Sequence, residues 1–198
     1  MYISIDQSTS STTVFVYNKN LKLLHKASKS HKQIQKQLGY VEHDAEEIYK
    51  NILSLLKKVS KKIKNHKNLF LSITNQRETF VIFDSNSGKP LHNAVVWQCR
   101  RGQSICDRIN KFSTNRKLIK KNTGLTLDTY FPAPKLVQLL STKKILKEKL
   151  KNGSALFGTM DTYLIYRLTK QKSYSTDITN ASRTLFFNNK TLKWSEEL

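Results

Sequence analysis

Arg77 and Glu78 place a donor fork beside a two-oxygen acceptor, a pairing that suits a small polyol whose hydroxyls each donate and accept. They sit inside Thr74-Asn75-Gln76-Arg77-Glu78-Thr79, a polar break between the apolar runs Leu69 to Ile73 and Phe80 to Phe83. A third apolar run, Ala94 to Trp97, ends in Gln98-Cys99-Arg100-Arg101. Polar clusters at strand ends are where open α/β sheets hold ligands, although solvated loop ends have the same composition. A second candidate lies near the N-terminus, in Asp6-Gln7-Ser8-Thr9-Ser10-Ser11-Thr12. Hydroxyl side chains and backbone N–H groups in this turn can hold phosphate oxygens. Asp6, at a strand end, can hold Mg²⁺ through water. The alternative is a hairpin whose Ser and Thr residues only satisfy the turn.

Several elements must position these groups. Tyr2 to Ile5, Thr13 to Tyr17 and Leu21 to Ala27 read as strands joined by turns, and Leu69 to Ile73 reads as a buried strand. Asp44, with Glu47 three residues on, starts a helix. Its apolar side follows at Ile48, Ile52, Leu55, Leu56, Val59 and Ile63, at helical spacing through about Lys64. That helix crosses between sheet strands. Asp84-Ser85-Asn86-Ser87-Gly88 supplies turn chemistry after Phe83. Further helices are expected over 101–112, 114–122, 133–140, 143–150 and 160–168, with loop and short strands from Ser173 to Trp194.

Composition narrows the classes. The 198 residues carry 35 Lys and Arg against 14 Asp and Glu, a net charge of +21. Only seven of the 35 are Arg, the lysines are spread along the chain, and aromatics are not interleaved with them. Nucleic-acid surfaces use arginine forks and stacking rings, so the charge reads as solvated surface rather than a polyanion site. No run of about 18 apolar residues exists to span a membrane, and no apolar leader follows a basic start. Cys99 and Cys106 are too few for a disulfide framework or a zinc site, consistent with a reduced, cytoplasmic protein.

Read in order, seven segments resemble the glycerol kinase branch of the FGGY sugar-kinase family. They are IDQSTSST (5–12), GYVEHDAEEI (39–48), ITNQRET (73–79), GKPLHNAVVWQCRR (88–101), NTGLTLDTYFPAPK (122–135), LFGTMDTYLIYRLT (156–169) and TDITNASRTLFFN (176–188). The resemblance implies an actin/hexokinase-like, ribonuclease H-like α/β fold, a mixed sheet flanked by helices. It further implies that residues 1–198 are the N-terminal substrate- and phosphate-binding domain, incomplete at its end and without the nucleotide domain. The implied reaction is ATP-dependent phosphorylation of glycerol with Mg²⁺, in a protein that is homo-oligomeric when complete.

Residue by residue, Arg77 and Glu78 match the pair on glycerol hydroxyls. Tyr130 matches a further glycerol contact, and Trp97 the ring facing the carbon chain. Without the resemblance, both aromatics would read as ordinary core. Asp6 matches the aspartate near the metal; Thr9 and Ser10, with Ser11 beside them, match the phosphate turn. Two positions depart from the family pattern: Ser8 stands for a Gly and Thr13 for an Arg. The first is expected to restrict the turn and the second to remove a cation. No residue matches the general-base aspartate, which the family places beyond residue 198, and Asp161 and Asp177 read as structural. A related pentulose or polyol kinase and a non-catalytic polyol- or partner-binding fragment are the alternatives.

Overall fold

Alternation in the opening strands decides which faces meet. In the computed structural model, which describes residues 1–63 and 68–198, the chain folds as two units. One is Met1–Gln33 with His43–Gln76, the other Ile34–Glu42 with Arg77–Leu198.

In the first unit, β1 (Tyr2–Gln7), β2 (Ser11–Tyr17) and β3 (Leu23–Ser30) form an antiparallel meander. The two-residue strands β4 (Gln33–Ile34) and β5 (Glu42–His43) mark the passage into residues 34–42 and back. α1 (Ala45–Ser60) then returns the chain to β6 (Phe70–Asn75), which pairs parallel to β1, so the sheet runs β3-β2-β1-β6. Ile3, Ile5, Val14 and Val16 point to one face. There they share a core with Ile48, Ile52, Leu55 and Val59 of α1, which packs on β2 and β3. Asp44 caps α1 as expected, its carboxylate accepting from the backbone N–H groups of Glu46 and Glu47. The helix stops at Ser60; Lys64, where its pattern was expected to end, lies outside the described residues.

Two expectations change here. Leu69 to Ile73 is not a buried strand: β6 is the sheet edge, and Phe70 and Leu71 are 62% and 47% exposed. A short apolar run does not reveal whether both sides of a strand will be paired. The polar break after β1 is also shorter than Asp6 to Thr12. Asp6 pairs with Thr13 and Gln7 with Thr12, leaving only Ser8, Thr9 and Ser10 outside the ladder.

His43 lies fully buried in this unit, its ring 4.6 Å from that of His31. The Gln76 amide nitrogen lies 3.2 Å from both Gln7 Oε1 and His43 Nδ1, so it donates to both and assigns the imidazole proton to Nε2. Burial, helped by His31, pulls the His43 pKa down to about 4 from 6.5. The unfolded chain therefore binds more protons between those values. Stability is full above pH 6.5 and falls by about 3 kcal/mol on this account as pH drops towards 4. Burial lowers His31 and His92 in the same direction, so the check compares urea-unfolding free energies from pH 7 to 4 for the parent and His43→Gln. Equal slopes would assign the loss to other groups.

In the second unit the five-stranded sheet runs β4-β5-β8-β7-β9, with β7 (Phe80–Asp84), β8 (Ala94–Val95) and β9 (Ala155–Thr159). β7 is paired on both sides, by β8 and β9, and Phe80, Val81, Ile82 and Phe83 are all buried. α2 (Gln103–Asn110), α3 (Ser113–Thr123), α4 (Pro132–Thr142), α5 (Lys144–Lys151) and α6 (Met160–Leu168) fall where the periodicity put them, within two residues at each end. β9 was not expected as a strand. Its Gly158 is there because an added Cβ would stand 2.7 Å from the Thr162 side chain. The tail holds α7 (Ile178–Ala181), β10 (Phe187–Asn188) and β11 (Lys193–Trp194).

Candidate functional site

Within the second unit, Glu78 and the two aromatics come together. Glu78 follows the end of β6 with a left-handed backbone, φ 61°, and its side chain is turned inward, leaving the residue 3% exposed. The next residue fixes that turn. Thr79 is buried, its hydroxyl accepting from the Trp97 N–H at 3.2 Å and its carbonyl from the Met160 N–H at 3.1 Å. Arg77, by contrast, is exposed.

Trp97 lies just past β8 and Tyr130 in the turn before α4, their ring centroids 5.4 Å apart at 54°. Neither is fully buried; that role falls to Phe131, 6% exposed. The open faces of Trp97 and Tyr130 line a cavity of about 410 Å³ with Gln98, Arg100, Gln103, Asp128 and Thr129. Each ring also packs against a buried cluster, Trp97 against that of Val95 and Val96 and Tyr130 against that of Ile119 and Leu185, so core packing accounts for one side of each and the cavity for the other.

Sequence reasoning missed Arg183. Its Nε donates to Glu78 Oε1 at 2.5 Å, and its guanidinium lies 4.8 Å from the Phe131 ring centre and 5.7 Å from that of Tyr130. Arg183 thus bridges the buried carboxylate to the aromatic wall. The one signal was its place in the segment 176–188. Asp177 of the same segment caps α7, accepting from the Asn180 N–H at 2.8 Å. Asp161 lies in the first turn of α6, accepting from the Thr176 hydroxyl at 2.7 Å, and burial pushes its pKa up. Both aspartates have structural partners, as read.

In the first unit the turn between β1 and β2 is closed by the Ser8 N–H donating to the Ser11 carbonyl at 2.9 Å. Thr9 and Ser10 form its tip, and the His31 N–H donates to the Ser10 carbonyl at 3.2 Å. The conformational restriction expected of Ser8 does not arise: its φ is not positive, so a Gly is not required by backbone angle. Its hydroxyl donates instead to Asp6 Oδ1 at 2.8 Å. Thr13 shares a hydrogen bond of 2.9 Å with Ser28 at the sheet surface. Asp6 is half-exposed. Among the described residues no three His, Cys, Asp or Glu side chains gather as a metal cage. A single carboxylate beside hydroxyls is the kind of donor set that would suit Mg²⁺, which keeps its waters and takes few protein ligands.

The N-terminal domain model of the FGGY family of carbohydrate kinases matches residues 1–198. The chain belongs to that family. This FGGY chain is 45% identical over 201 residues to glycerol kinase 1 of Thermotoga maritima, covering 100% of itself and 41% of that protein. The crystal structure of Plasmodium falciparum glycerol kinase with ADP superposes with a TM-score of 0.91 at 39% identity, over all of this chain and 40% of that one. Gluconate kinase from Lactobacillus acidophilus matches with a TM-score of 0.87 at 26% identity, over 99% of this chain and 38% of that one. The FGGY chain described here therefore spans about two fifths of the relatives it matches. Its fold is that of the actin/hexokinase-like ATPases, as the motifs implied. Among the described residues no helix is long and apolar enough to cross a membrane.

Proposed function

We propose that residues 1–198 form the substrate- and phosphate-holding part of an ATP:glycerol phosphotransferase. The observation that carries this reading is the buried Glu78 carboxylate, held by Arg183 beside the half-open rings of Trp97 and Tyr130. A carboxylate accepts hydrogen bonds from adjacent hydroxyls, and an aromatic face takes the C–H side of a short polyol. Arg77 supplies donors to the same hydroxyls. Thr9, Ser10 and Ser11 contact phosphate oxygens, and Asp6 holds Mg²⁺ through water; bound there, the ion would screen phosphate charge. The likeness to a glycerol kinase crystallised with ADP supports the nucleotide half of this reading.

In the reaction, a terminal hydroxyl oxygen of glycerol bonds to the γ-phosphorus as the bond to the β–γ bridging oxygen breaks. The products are glycerol 3-phosphate and ADP, and catalysis is mainly positioning and charge stabilisation. The hydroxyl proton requires a placed carboxylate, and no residue of 1–198 is given that role.

Calorimetric titration of this chain with glycerol tests the site. Arg77→Ala is expected to weaken glycerol about tenfold, the worth of one charge-assisted hydrogen bond. Unchanged affinity would remove Arg77 from the site. A parallel titration with gluconate and xylulose tests the substrate, and tighter binding of either would move the assignment to a related sugar kinase.

A further inference from the structure

Lys135, in the first turns of α4, is 0% exposed. Its Nζ donates to three backbone carbonyls: Val96 at 3.2 Å, Trp97 at 3.2 Å and Tyr130 at 3.0 Å. An ammonium has three protons, and each finds an acceptor. Two of those acceptors belong to the residues whose rings form the aromatic wall, and Val96 precedes Trp97. The two segments are separated in the chain and meet at this one charge. Gly102 sets the approach: a Cβ there would stand 2.7 Å from the Pro134 carbonyl carbon and 2.9 Å from the Lys135 nitrogen. α2 can therefore start directly against the α4 backbone, which seats Lys135 beneath the two segments.

A buried cation is costly, and a plain fold contact does not require one. Burial pulls the Lys135 pKa down to about 7, Cys99, Glu78 and Asp128 favour the ammonium, and Arg101 opposes it. The three carbonyls favour the ammonium as well.

We propose that Lys135 is a positioning residue, whose ammonium fixes the backbones of Trp97 and Tyr130 and so sets the spacing of the two rings that face the polyol. The link to polyol binding rests on the site assignment made above; the link to ring placement does not. Loss of one proton leaves two donors for three carbonyls, and the wall loosens.

The test uses Trp194→Phe, which removes the exposed second tryptophan of β11 and leaves Trp97 as the sole indole. Trp97 emission is expected to move in a single step near pH 7 in this variant. It should be flat from pH 6 to 9 in Lys135→Met/Trp194→Phe. Glycerol affinity should fall about tenfold between pH 6 and 9 in the parent and be weak and pH-independent with Met at 135. A folded Lys135→Met protein with parental Trp97 emission overturns the proposal. If that variant does not fold by circular dichroism, the Trp194→Phe titration alone decides, and a flat profile overturns it. A pH step in emission with no glycerol binding at any pH would uphold Lys135 and refute the polyol assignment.

Discussion

Arg101→Met should cost about 3–5 kcal/mol of unfolding free energy, the penalty for stranding a buried charge. Its target is Glu42, which is 5% exposed and meets four partners. Arg101 Nη2 donates to Oε1 at 2.6 Å and Asn93 Nδ2 to Oε2 at 2.9 Å, while His92 and Lys36 stand at 3.6 and 3.7 Å. Burial pushes the Glu42 carboxyl up, but the hydrogen bonds from Arg101 and Asn93 outweigh it and hold the group below its ordinary range. The guanidinium also lies 4.8 Å from the Tyr40 ring centre and donates to Cys99 Sγ. Met keeps the stem and loses all of this. Tryptophan fluorescence reads the second unit, since Trp97 and Trp194 both belong to it. The gap between parent and variant should narrow on acidification, because the parent loses its contribution as the depressed Glu42 carboxyl protonates. Adding Glu42→Gln should recover more than half the loss. A cost below about 1 kcal/mol would mean that Glu42 is not an uncompensated buried charge without Arg101.

Glu78→Gln should weaken glycerol by roughly 10- to 150-fold, corresponding to about 1.5–3 kcal/mol for a hydrogen bond to a charged acceptor. Gln keeps the length and planarity of Glu, so the buried side chain keeps its place. What changes is that one acceptor oxygen becomes a donor nitrogen, and the attraction of Arg183 for the carboxylate is lost. Binding enthalpy and affinity from calorimetry, at matched folded fraction, check it. An affinity within threefold of the parent would take the carboxylate out of polyol recognition.

What could be read from the chain divides along physical lines. α1 was legible because its cap, its acidic first turn and its buried stripe are all local. α6 was legible for the same reason of spacing. β6 was recognised as a strand but given the wrong surroundings, since pairing on its outer side is not encoded in a short, mostly apolar run. β9 escaped because Ala155 and Gly158 dilute its strand character, and the neighbour that explains Gly158 is a helix side chain. Ser8 looked unsuitable in part on the premise that the turn needs a positive φ, which it does not have.

The site was read in pieces. Glu78, Trp97 and Tyr130 were named and meet, one through Arg183 and two ring to ring. Arg183 was missed because its partner lies 105 residues away. Lys135 was missed because a lysine in a helix is solvated unless the fold buries it. Neither property is written in local spacing.

The left-handed backbone at Glu78 has an evolutionary side. A non-glycine residue held at φ 61° costs on the order of 1 kcal/mol or more. A side chain that bends back into the interior as a carboxylate adds to that cost. Glycine at this position would relax the turn at the expense of the ion pair to the partly exposed Arg183, and a chain released from binding a polyol gains stability where the relief of strain is the larger of the two. Fitness for folding and fitness for function therefore pull this one codon in opposite directions. A library of position 78 selected only for thermal resistance should enrich Gly and Asn, and one selected for polyol capture should return Glu.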